Sequence, residues 1–586
     1  MRQLLILFLF SCGIIFSQNN ASEWQTLFEK SDYLNSADYQ GSIDYMYKLE
    51  SASKYLKNFV AGKTPGGRDF VYSVVSKEEV FSPESITQSS KPLIFIENGI
   101  HSGEIEGKDA CFLLLREMLI TGEKTGLLDD FNFVIIPIFN IDGHERRSPF
   151  NRINQNGPTV MGWRTTAQNY NLNRDFLKAD APEMQMLLKI FTMYDPDFFI
   201  DTHTTDGADY QYTVTYATEK YENVPPPIRG WINNTYIPEL EKRVNEMGYL
   251  IGPYIGFVKG DIKNGAYDWS ALPRFSNGYA AVKNRPGLLI ETHMLKPYKD
   301  RVFSTKAVIE TTLDLIREIP GGIKKMNKSA DDFVIKHYFN EKNPFPLSLK
   351  RSSDYDSLLY RGIEYDMVFS EVAGDSVKFY NGKVFDEKIP FYNHLVPNKT
   401  ITAPDAYYIP AEFSYLGERL NFHGIKYKDL TEDVKVNKGV YRFGNVKFAS
   451  SPYESHFQPE FDYTKSIADG TLKAGGILVS TNQRNLPVIL HLLEPDGPDS
   501  FLSWGFFNMI FERKEYFEFY SMEPIASKMY EENPDLRKEF DEKVKSDSSF
   551  AADSYKRLNF FYERSPYYDK AYKVYPVVRV EKFLND

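Results

Sequence analysis

Four residues of the chain carry the side chains that a catalytic zinc site requires. His101 and Glu104 lie three positions apart, and His203 and Glu291 follow much later in the chain. A catalytic zinc takes three protein ligands from histidine and carboxylate groups and leaves one position for water. A further carboxylate beside that water can act as a general base. His101, Glu104 and His203 are therefore candidate ligands, and Glu291 is a candidate base.

The candidates follow short apolar runs that predict buried β-strands. These runs are residues 93–96, 198–200 and 288–290, and polar residues come directly after each of them. Continuous apolar runs of this length are typical of parallel strands that are buried on both faces. Catalytic groups in open α/β sheets gather outside the carboxyl ends of such strands. We therefore expect the four candidates to meet at one edge of one sheet.

The segments around these runs predict an α/β domain. Residues 133–139 form a fourth apolar run of the same kind, and residues 22–60 predict exposed helix. Further helical patterns lie between and after the runs, at residues 107–120, 183–194, 233–247 and 305–319. Such alternation favours a mostly parallel or mixed central sheet flanked by helices.

The composition and the predicted secondary structure of the chain change near residue 322. From about residue 340 to 465 it is rich in Tyr, Phe and Val with frequent turns, which predicts a β-rich domain. Residues 466–586 combine a strand-like run at 477–480 with helical patterns near 502–511 and 524–544, which predicts a C-terminal α/β segment. The predicted parts are a signal peptide at 1–17, a catalytic domain at 18–322, a β-rich domain at 340–465 and a C-terminal segment at 466–586.

The first residues have the pattern of an export signal. Arg2 precedes a largely apolar run over residues 4–16, and the polar residues after Ser17 indicate cleavage near Ser17 and Gln18. The run is too short to span a bilayer, and no other stretch is long and apolar enough to do so. We therefore expect a secreted or periplasmic protein without a membrane span.

The overall charge narrows the class of partner. The formal net charge is −11, from 80 acidic and 69 basic residues. An acidic protein of this kind is not suited to non-specific nucleic-acid binding or to docking on anionic lipid. We expect no nucleic-acid partner.

Each candidate taken alone also has an ordinary structural explanation. A histidine near a strand end is often a hydrogen-bonding loop residue, and an acidic residue often stabilises a first helical turn. His293 is the main rival ligand because it lies two residues after Glu291 and should face the same side of a strand. His144 is a second nearby histidine. The functional interpretation is favoured because the candidates occupy three strand ends of one predicted sheet.

Beyond these residues, the sequence resembles the zinc carboxypeptidases of the carboxypeptidase A type. The likeness covers about residues 60–320, and its motifs occur in the family's order. The motifs are His101-Ser-Gly-Glu104, Asn140-Ile-Asp-Gly143, Gly162-Trp-Arg164, Asn171-Leu-Asn-Arg174, Asp201-Thr-His203 and Ile290-Glu291. The later region looks like that of other secreted bacterial members, and the resemblance implies a carboxypeptidase-like fold for the catalytic domain.

The resemblance also implies a role for each motif residue. His101, Glu104 and His203 would bind one Zn²⁺ per chain, and Glu291 would activate the zinc-bound water. Arg164 would stabilise the oxyanion that forms on the scissile carbonyl, as a cation aimed at that oxygen can. Asn173 and Arg174 would hold the terminal carboxylate of the substrate, for which the fork of an arginine is suited.

Two positions depart from the family pattern. The family usually has a tyrosine a few residues before its Asp-Trp pair, which here is Asp268-Trp269, but the corresponding position is Gly260. Tyr254 and Tyr267 are poor substitutes, so the sequence identifies no tyrosine for that role. Asn171 stands where many relatives have an aspartate that orients the first histidine, and Asp201 is a candidate replacement.

These observations favour a metallocarboxypeptidase that hydrolyses peptide bonds and releases C-terminal amino acids. The substrate would be the C-terminus of a peptide or protein. One alternative is a zinc amidohydrolase that acts on N-acyl amino acids or cell-wall peptides. A second alternative is a non-catalytic envelope binding protein on the same scaffold, and the sequence leaves the residue preference and the oligomeric state open.

Overall fold

A mixed eight-stranded sheet lies at the centre of the protein in our computed structural model, which describes residues 22–584. The signal peptide predicted for residues 1–17 lies outside the described residues. The first ten strands are β1 (Leu56–Lys63), β2 (Asp69–Val75), β3 (Leu93–Asn98), β4 (Asn132–Ile136), β5 (Phe198–Thr205), β6 (Val214–Ala217), β7 (Ile251–Pro253), β8 (Gly256–Phe257), β9 (Ala266–Tyr267) and β10 (Gly287–His293). The order across the central sheet is β1-β2-β4-β3-β5-β10-β6-β7.

The four middle strands of this sheet position the candidate residues. Strands β4, β3, β5 and β10 are mutually parallel, and every residue in them is buried. Their apolar runs are explained by packing on both faces, because successive side chains of a strand point to opposite sides. The carboxyl ends of β3, β5 and β10 therefore lie at one edge, which confirms the predicted α/β sheet.

Helices cover both faces of the central sheet and create two hydrophobic cores. Phe95, Val134 and Phe199 face one core, whereas their neighbours Ile94 and Ile200 face the other. The α-helices up to residue 334 are Leu27–Lys30, Tyr39–Ala52, Pro83–Gln88, Glu106–Arg116, Leu127–Asp130, Ile141–His144, Pro182–Tyr194, Pro226–Trp231, Ile237–Glu246, Ser276–Val282, Tyr298–Arg317 and Ile323–Val334, with π-helical turns at Glu117–Thr121, Ile232–Tyr236 and Ile335–Asn340. All four helices predicted between residues 107 and 319 are present.

One prediction in this region was wrong. Residues 22–60 were expected to be helical, but the helix ends at Ala52 and the chain continues as strand β1. This strand pairs antiparallel with β2, and the ring of Phe59 stacks on Tyr72 across the pair. Cross-strand packing of this kind decides between helix and strand in a short segment.

The later half of the chain adds three more sheets. Its strands are β11 (Phe345–Arg351), β12 (Asp356–Ser370), β13 (Asp375–Tyr392), β14 (Leu395–Ile401), β15 (Ala406–Ile409), β16 (Lys428–Asp429), β17 (Val434–Phe448), β18 (Pro459–Leu472), β19 (Ile477–Ser480) and β20 (Val578–Phe583). Together with β8 and β9 of the first half, they form a two-stranded sheet of β11 and β14, a four-stranded sheet ordered β12-β13-β9-β8, and a six-stranded sheet ordered β16-β19-β15-β20-β17-β18.

The six-stranded sheet packs directly on the catalytic region. Ile409, Val479 and Tyr575 belong to the same buried cluster as Phe95 and Phe199 of the central sheet. Residues from both sides of position 465 contribute strands to this sheet, so the later parts of the chain share one framework. A continuous core holds the later region at a fixed place beside the catalytic sheet.

Short helices follow in the C-terminal part. The α-helices of the later region are Leu416–Phe422, Leu486–Leu493, Phe519–Glu532, Pro534–Ser546, Ser548–Ala551 and Ser554–Tyr562. The helix predicted near residues 502–511 was wrong, because only a 3₁₀ turn at Asn508–Phe511 forms there and Gly505 adopts a φ of +76°. Within residues 22–584, no helix is long and apolar enough to cross a membrane.

Candidate metal centre and active site

The three candidate ligands converge on one point at the edge of the central sheet. Glu104 Oε2 lies 3.2 Å from His101 Nδ1 and 3.1 Å from His203 Nδ1. All three side chains are buried, and one potential ligand atom of each lies within 4.8 Å of the other two. Across residues 22–584, this is the one group of three or more His, Cys, Asp or Glu side chains with that geometry.

The turn after β3 brings His101 and Glu104 together. Gly99 adopts a φ of +70°, which lets the chain reverse direction at the end of the strand. The backbone N–H of Glu104 then donates to the carbonyl oxygen of His101 at 2.8 Å, just before the helix that begins at Glu106. A three-residue spacing on this turn is what places both side chains over the same point.

Hydrogen bonds to the far ring nitrogens orient both histidines. His101 Nε2 lies 3.1 Å from Asn171 Oδ1, and His203 Nε2 lies 2.7 Å from Asp201 Oδ2. These oxygens accept hydrogen bonds, so each imidazole carries a proton on Nε2 and directs Nδ1 towards Glu104. Asn171 thus fills the orienting role for the first histidine that the sequence assigned to Asp201, and Asp201 orients the second.

The electrostatics of the group favour a bound cation. Burial lowers the pKa of His101 to about 4, so its imidazole is neutral near pH 7. Burial acts to raise the pKa of Glu104, but Arg152 and the two histidines hold this pKa well below its usual range. Burial acts to lower the pKa of His203, but Asp201, Glu104 and Glu291 raise it well above its usual range, so the protein itself places positive charge at this point. A divalent cation bound there would replace that proton and accept both Nδ1 lone pairs.

Glu291 occupies the position of a base beside the group. It pairs in register with His203 on the parallel strands β5 and β10, so both side chains point to the same side of the sheet. The Glu291 side chain is buried, and this burial raises the pKa of its carboxyl group. A nearby divalent cation would lower that pKa again, towards the range of a base that works near neutral pH.

A cavity of about 250 Å³ connects the metal-binding group with the other candidates. Its wall contains all the predicted catalytic and substrate-binding side chains, together with one ligand: His101, Arg164, Asn173, Arg174 and Glu291. The catalytic and substrate-binding residues predicted from the sequence therefore lie in the wall of one cavity.

The polar side chains of this cavity are held in defined positions. Arg164 Nη1 lies 3.4 Å from Glu104 Oε1, which directs its guanidinium towards the metal-binding group. Arg174 Nη1 donates to the carbonyl oxygen of Asn173 at 2.7 Å, and its guanidinium lies 4.4 Å from the ring centroid of Phe275. Two cations thus face the cavity from neighbouring positions, one near the metal-binding group and one farther along the wall.

The chain is similar in sequence to known proteins. A sequence profile described as zinc carboxypeptidase matches residues 43–281, which include His101, Glu104 and His203. This region resembles the zinc carboxypeptidase family. Carboxypeptidase 2 of Trichophyton rubrum is 22% identical over 488 residues, covering 79% of this chain and 82% of the relative. Carboxypeptidase 2 of Trichophyton tonsurans is 22% identical over 495 residues, with the same coverage of both chains. The solved structure of carboxypeptidase A from Helicoverpa armigera is 15% identical, with a TM-score of 0.36 over 48% of this chain and 73% of the other.

The donor set of this site fits a zinc ion, the metal of the matched family. Two imidazole nitrogens and one carboxylate oxygen are typical ligands of a catalytic zinc, which keeps a further position open. His101 and His203 would supply the nitrogens and Glu104 the oxygen, with Asn171 and Asp201 as their hydrogen-bond partners. The convergence of both Nδ1 atoms and Glu104 Oε2 on one point is the observation on which this fit rests.

The rival histidines have structural partners instead. His293 Nε2 lies 3.0 Å from the carbonyl oxygen of Ala208, and its Nδ1 accepts from the backbone N–H of Leu295 at 3.2 Å. His144 lies between Lys108 Nζ at 3.2 Å and Glu145 Oε1 at 2.8 Å. Neither belongs to the metal-binding group, so the distant ligand of the predicted set remains His203.

Sequence reasoning missed Arg152. Its Nη2 donates to Glu104 Oε1 at 2.6 Å, and its Nε donates to Gln155 Oε1 at 2.6 Å. Arg152 adopts a φ of +53°, and a Cβ on Gly103 would lie 2.0 Å from its Cδ. The guanidinium therefore fills the space beside the His-x-x-Glu turn and fixes the oxygen of Glu104 that faces away from the histidines. No motif or periodicity in the sequence marks this residue.

The cavity also contains Tyr254, which the sequence ranked as a poor substitute for the family's tyrosine. Its ring lies edge-on to Trp269 at 5.2 Å, and the charge of Glu291 raises the pKa of its phenol. Tyr267 contacts Trp269 at 6.0 Å and lies under the guanidinium of Arg351. Tyr254 is thus the tyrosine of this pair that lines the cavity.

We expect the Asp201→Asn variant to bind zinc about 10- to 100-fold more weakly than the wild type, because a carboxylate partner raises the basicity of a ligating imidazole. The converse variant, Asn171→Asp, adds such a partner to His101 and should bind zinc more tightly. Competition with a chromophoric chelator measures both affinities. Equal zinc affinities in the wild type and both variants would contradict the proposed orienting roles.

Proposed function

We propose that this protein is a zinc-dependent metallocarboxypeptidase that hydrolyses the last peptide bond of a peptide and releases the C-terminal amino acid. The observation that carries this proposal is the single cavity shared by the metal-binding group, Glu291 and Arg174. It unites a metal site, a base and a carboxylate-binding cation, which are the parts that such a reaction needs. The curated relatives that match this chain are named carboxypeptidase 2.

The chain's own residues supply the proton transfers. When bound, zinc polarises a carbonyl oxygen and lowers the pKa of a water molecule, which is the chemistry that His101, Glu104 and His203 make available. Glu291 removes a proton from the attacking water and later gives it to the leaving nitrogen as the carbon–nitrogen bond breaks. Its raised pKa suits both steps, because the carboxyl group must accept and release the same proton near neutral pH.

The two cavity arginines are proposed to bind different parts of the substrate. Arg164 is proposed to face the oxygen that becomes negative as water attacks the carbonyl, and its proximity to Glu104 supports this role. Arg174 and Asn173 are proposed to hold the terminal carboxylate, because a planar guanidinium binds two carboxylate oxygens at once. Positioning of the carboxylate places the last peptide bond beside Glu291 and excludes bonds farther from the end.

A carboxylate in the cavity wall indicates a preference for the released residue. Glu219 accepts from the backbone of Ala271 at 2.7 Å and from the side chains of Ser270 and Asn223 at 2.5 Å and 2.9 Å. Among the ion pairs of residues 22–584, none involves Glu219, whereas the nearby Asp268 pairs with Lys220 at 2.7 Å. Burial raises the pKa of the Glu219 carboxyl group, and a cationic side chain beside it would stabilise its charged form, so we propose a preference for C-terminal lysine or arginine.

A substrate panel tests the proposed reaction. We expect free amino acids to be released from peptides with a free C-terminal carboxyl group, fastest from those that end in lysine or arginine. The C-terminal amides of the same peptides should be hydrolysed at least about 100-fold more slowly, because they lack the charge that pairs with Arg174. Mass spectrometry of the products identifies the bond that is cut.

The same panel separates the alternatives. Hydrolysis of N-acyl amino acids or cell-wall peptides, without release of amino acids from ordinary peptides, would indicate a zinc amidohydrolase. An absence of turnover on every substrate with zinc bound would indicate a binding protein. The complete set of polar cavity side chains favours a catalyst over the second of these alternatives.

The organisation of the whole chain is part of the proposal. We propose a catalytic domain at 18–322, a β-rich domain at 340–465 and a C-terminal segment at 466–586, preceded by a signal peptide at 1–17. Export to the periplasm or the medium with cleavage near Ser17 rests on the N-terminal sequence pattern.

A further inference from the structure

The tip of a hairpin from the later region lies beside the proposed carboxylate-binding arginine. Strands β17 and β18 form this hairpin, and residues 449–458 connect them. Arg174 Nε donates a hydrogen bond of 3.1 Å to the hydroxyl oxygen of Tyr453, although the two residues are 279 positions apart. A side chain from outside the family-matched region thus contacts the wall of the catalytic cavity.

The backbone of the tip holds Tyr453 in a defined place. Tyr453 and His456 exchange two backbone hydrogen bonds of 2.9 Å and 3.0 Å, which close a two-residue turn. The turn residues Glu454 and Ser455 adopt φ values of +47° and +69°. Positive φ at both central positions is the geometry of the tight hairpin turn that matches the twist of the strands. Non-glycine residues adopt this conformation at a cost in conformational free energy, so contacts with the surrounding structure must stabilise the tip.

Side-chain contacts fix the tip against the catalytic region. The ring of Tyr453 stacks on the fully buried Trp504 at 5.9 Å and an interplanar angle of 12°. His456 Nε2 lies 2.7 Å from Asp180 Oδ2, only six residues after Arg174. The tip is therefore anchored on both sides of the tyrosine, and its hydroxyl group has little freedom to move away from the arginine.

Arg174 and Tyr453 both keep hydrogen-bond donors that a ligand can use. Arg174 uses Nε for Tyr453 and one Nη1 proton for the carbonyl oxygen of Asn173, while its Nη2 has no hydrogen bond within residues 22–584. The Tyr453 oxygen accepts from Arg174, so its own proton remains available to a nearby anion. With its Nε end anchored, the guanidinium presents its two terminal nitrogens, the pair that a carboxylate binds bidentately.

We propose that Tyr453 is a positioning residue for Arg174, and that the hairpin tip of the later region forms part of the subsite for the terminal carboxylate. This inference rests on the proposed carboxypeptidase function. It assigns the later region a direct part in substrate recognition: the catalytic region holds Arg174 through Asn173 and Phe275, and Tyr453 adds the hydrogen bond to Nε.

Steady-state kinetics of Tyr453→Phe provide the first test. The substitution keeps the ring on Trp504 and removes only the hydroxyl group. We expect KM for a peptide with a free C-terminus to rise about 5- to 10-fold, as for loss of a hydrogen bond to a charged group, with kcat within about twofold. Tyr516→Phe is the matched control, because Tyr516 lies in the same later region and is 71% exposed. Unchanged KM in Tyr453→Phe would overturn the proposal.

A double-mutant cycle separates positioning from mere structural support. We expect Tyr453→Phe to have almost no further effect on KM in an Arg174→Gln background, because the hydroxyl group acts through that guanidinium. A general loss of stability would instead lower activity by the same factor in both backgrounds. Equal effects of Tyr453→Phe on KM in the two backgrounds would therefore contradict the proposal.

A binding experiment without turnover distinguishes this inference from the proposed function. Calorimetry on the Glu291→Gln protein compares a dipeptide with its C-terminal amide. When Tyr453→Phe is introduced into the Glu291→Gln protein, binding of the free acid should weaken about 5- to 10-fold, and binding of the amide should not change. If acid and amide are affected alike, the inference fails even where the wild type releases amino acids. If the wild type releases none but the acid-specific loss occurs, the proposed function fails and the carboxylate subsite stands.

Discussion

The Glu291→Gln variant is expected to lose about 10³-fold in kcat on peptide substrates while it keeps about one zinc per chain. Glutamine has nearly the same shape as glutamate but cannot accept a proton from water at neutral pH. General-base catalysis contributes rate factors of this size. Glu291 lies outside the group of three ligand atoms, so the metal should remain. Stopped assays of amino-acid release, combined with metal analysis of the same sample, give both quantities.

A nearby carboxylate provides the control for this experiment. Asp206 lies three residues after His203 but is exposed and does not line the cavity. The Asp206→Asn variant should keep kcat within about twofold of the wild type, as surface substitutions usually do. A Glu291→Gln protein that binds zinc and retains more than a tenth of the wild-type kcat would remove Glu291 from the mechanism.

Replacement of the distant ligand should have the second large effect. We expect His203→Asn to lose its zinc on dialysis and, with it, all measurable peptide hydrolysis. A three-ligand catalytic site that loses one imidazole keeps only His101 and Glu104, and metal affinity then falls by orders of magnitude. Metal analysis and circular dichroism of the same sample separate loss of zinc from loss of folding.

His293→Asn is the matched comparison, since both histidines lie at the ends of adjacent strands and are buried. We expect this variant to retain about one zinc per chain. Both ring nitrogens of His293 contact backbone groups, so its removal should cost about 1–3 kcal/mol of stability rather than the metal. A folded His293→Asn protein without zinc, together with a His203→Asn protein that keeps it, would reverse the assignment of the distant ligand.

The catalytic sheet and the polar residues at its edge are predictable from the sequence. Apolar runs followed by His101, His203 and Glu291 predict strands and their carboxyl ends, because burial on both faces leaves a local pattern that needs no knowledge of partners. The parallel order of β3, β5 and β10 then brings the ends together. Arg164, Asn173 and Arg174 were named from the resemblance to the zinc carboxypeptidases, and they lie in the same cavity.

Local patterns were insufficient where a segment depends on distant partners. Residues 56–63 could not be separated from the preceding helix, because only pairing with β2 makes them a strand. The predicted helix near residues 502–511 failed for a related reason: Leu502, Phe507 and Phe511 are buried in a core shared with distant segments, and only a 3₁₀ turn forms there.

Tertiary structure alone decided how the active-site groups are oriented. Arg152 contacts Glu104 and Tyr453 contacts Arg174 across 48 and 279 positions of sequence, and no spacing rule links either pair. The assignment of Asn171 to His101 and of Asp201 to His203 has the same origin. The candidate ligands follow from residue type and strand ends, which are local properties, and the family resemblance favoured His203 over His293. The hydrogen bonds that hold those ligands and the substrate-binding arginine form only when packing brings distant segments within about 3 Å of each other.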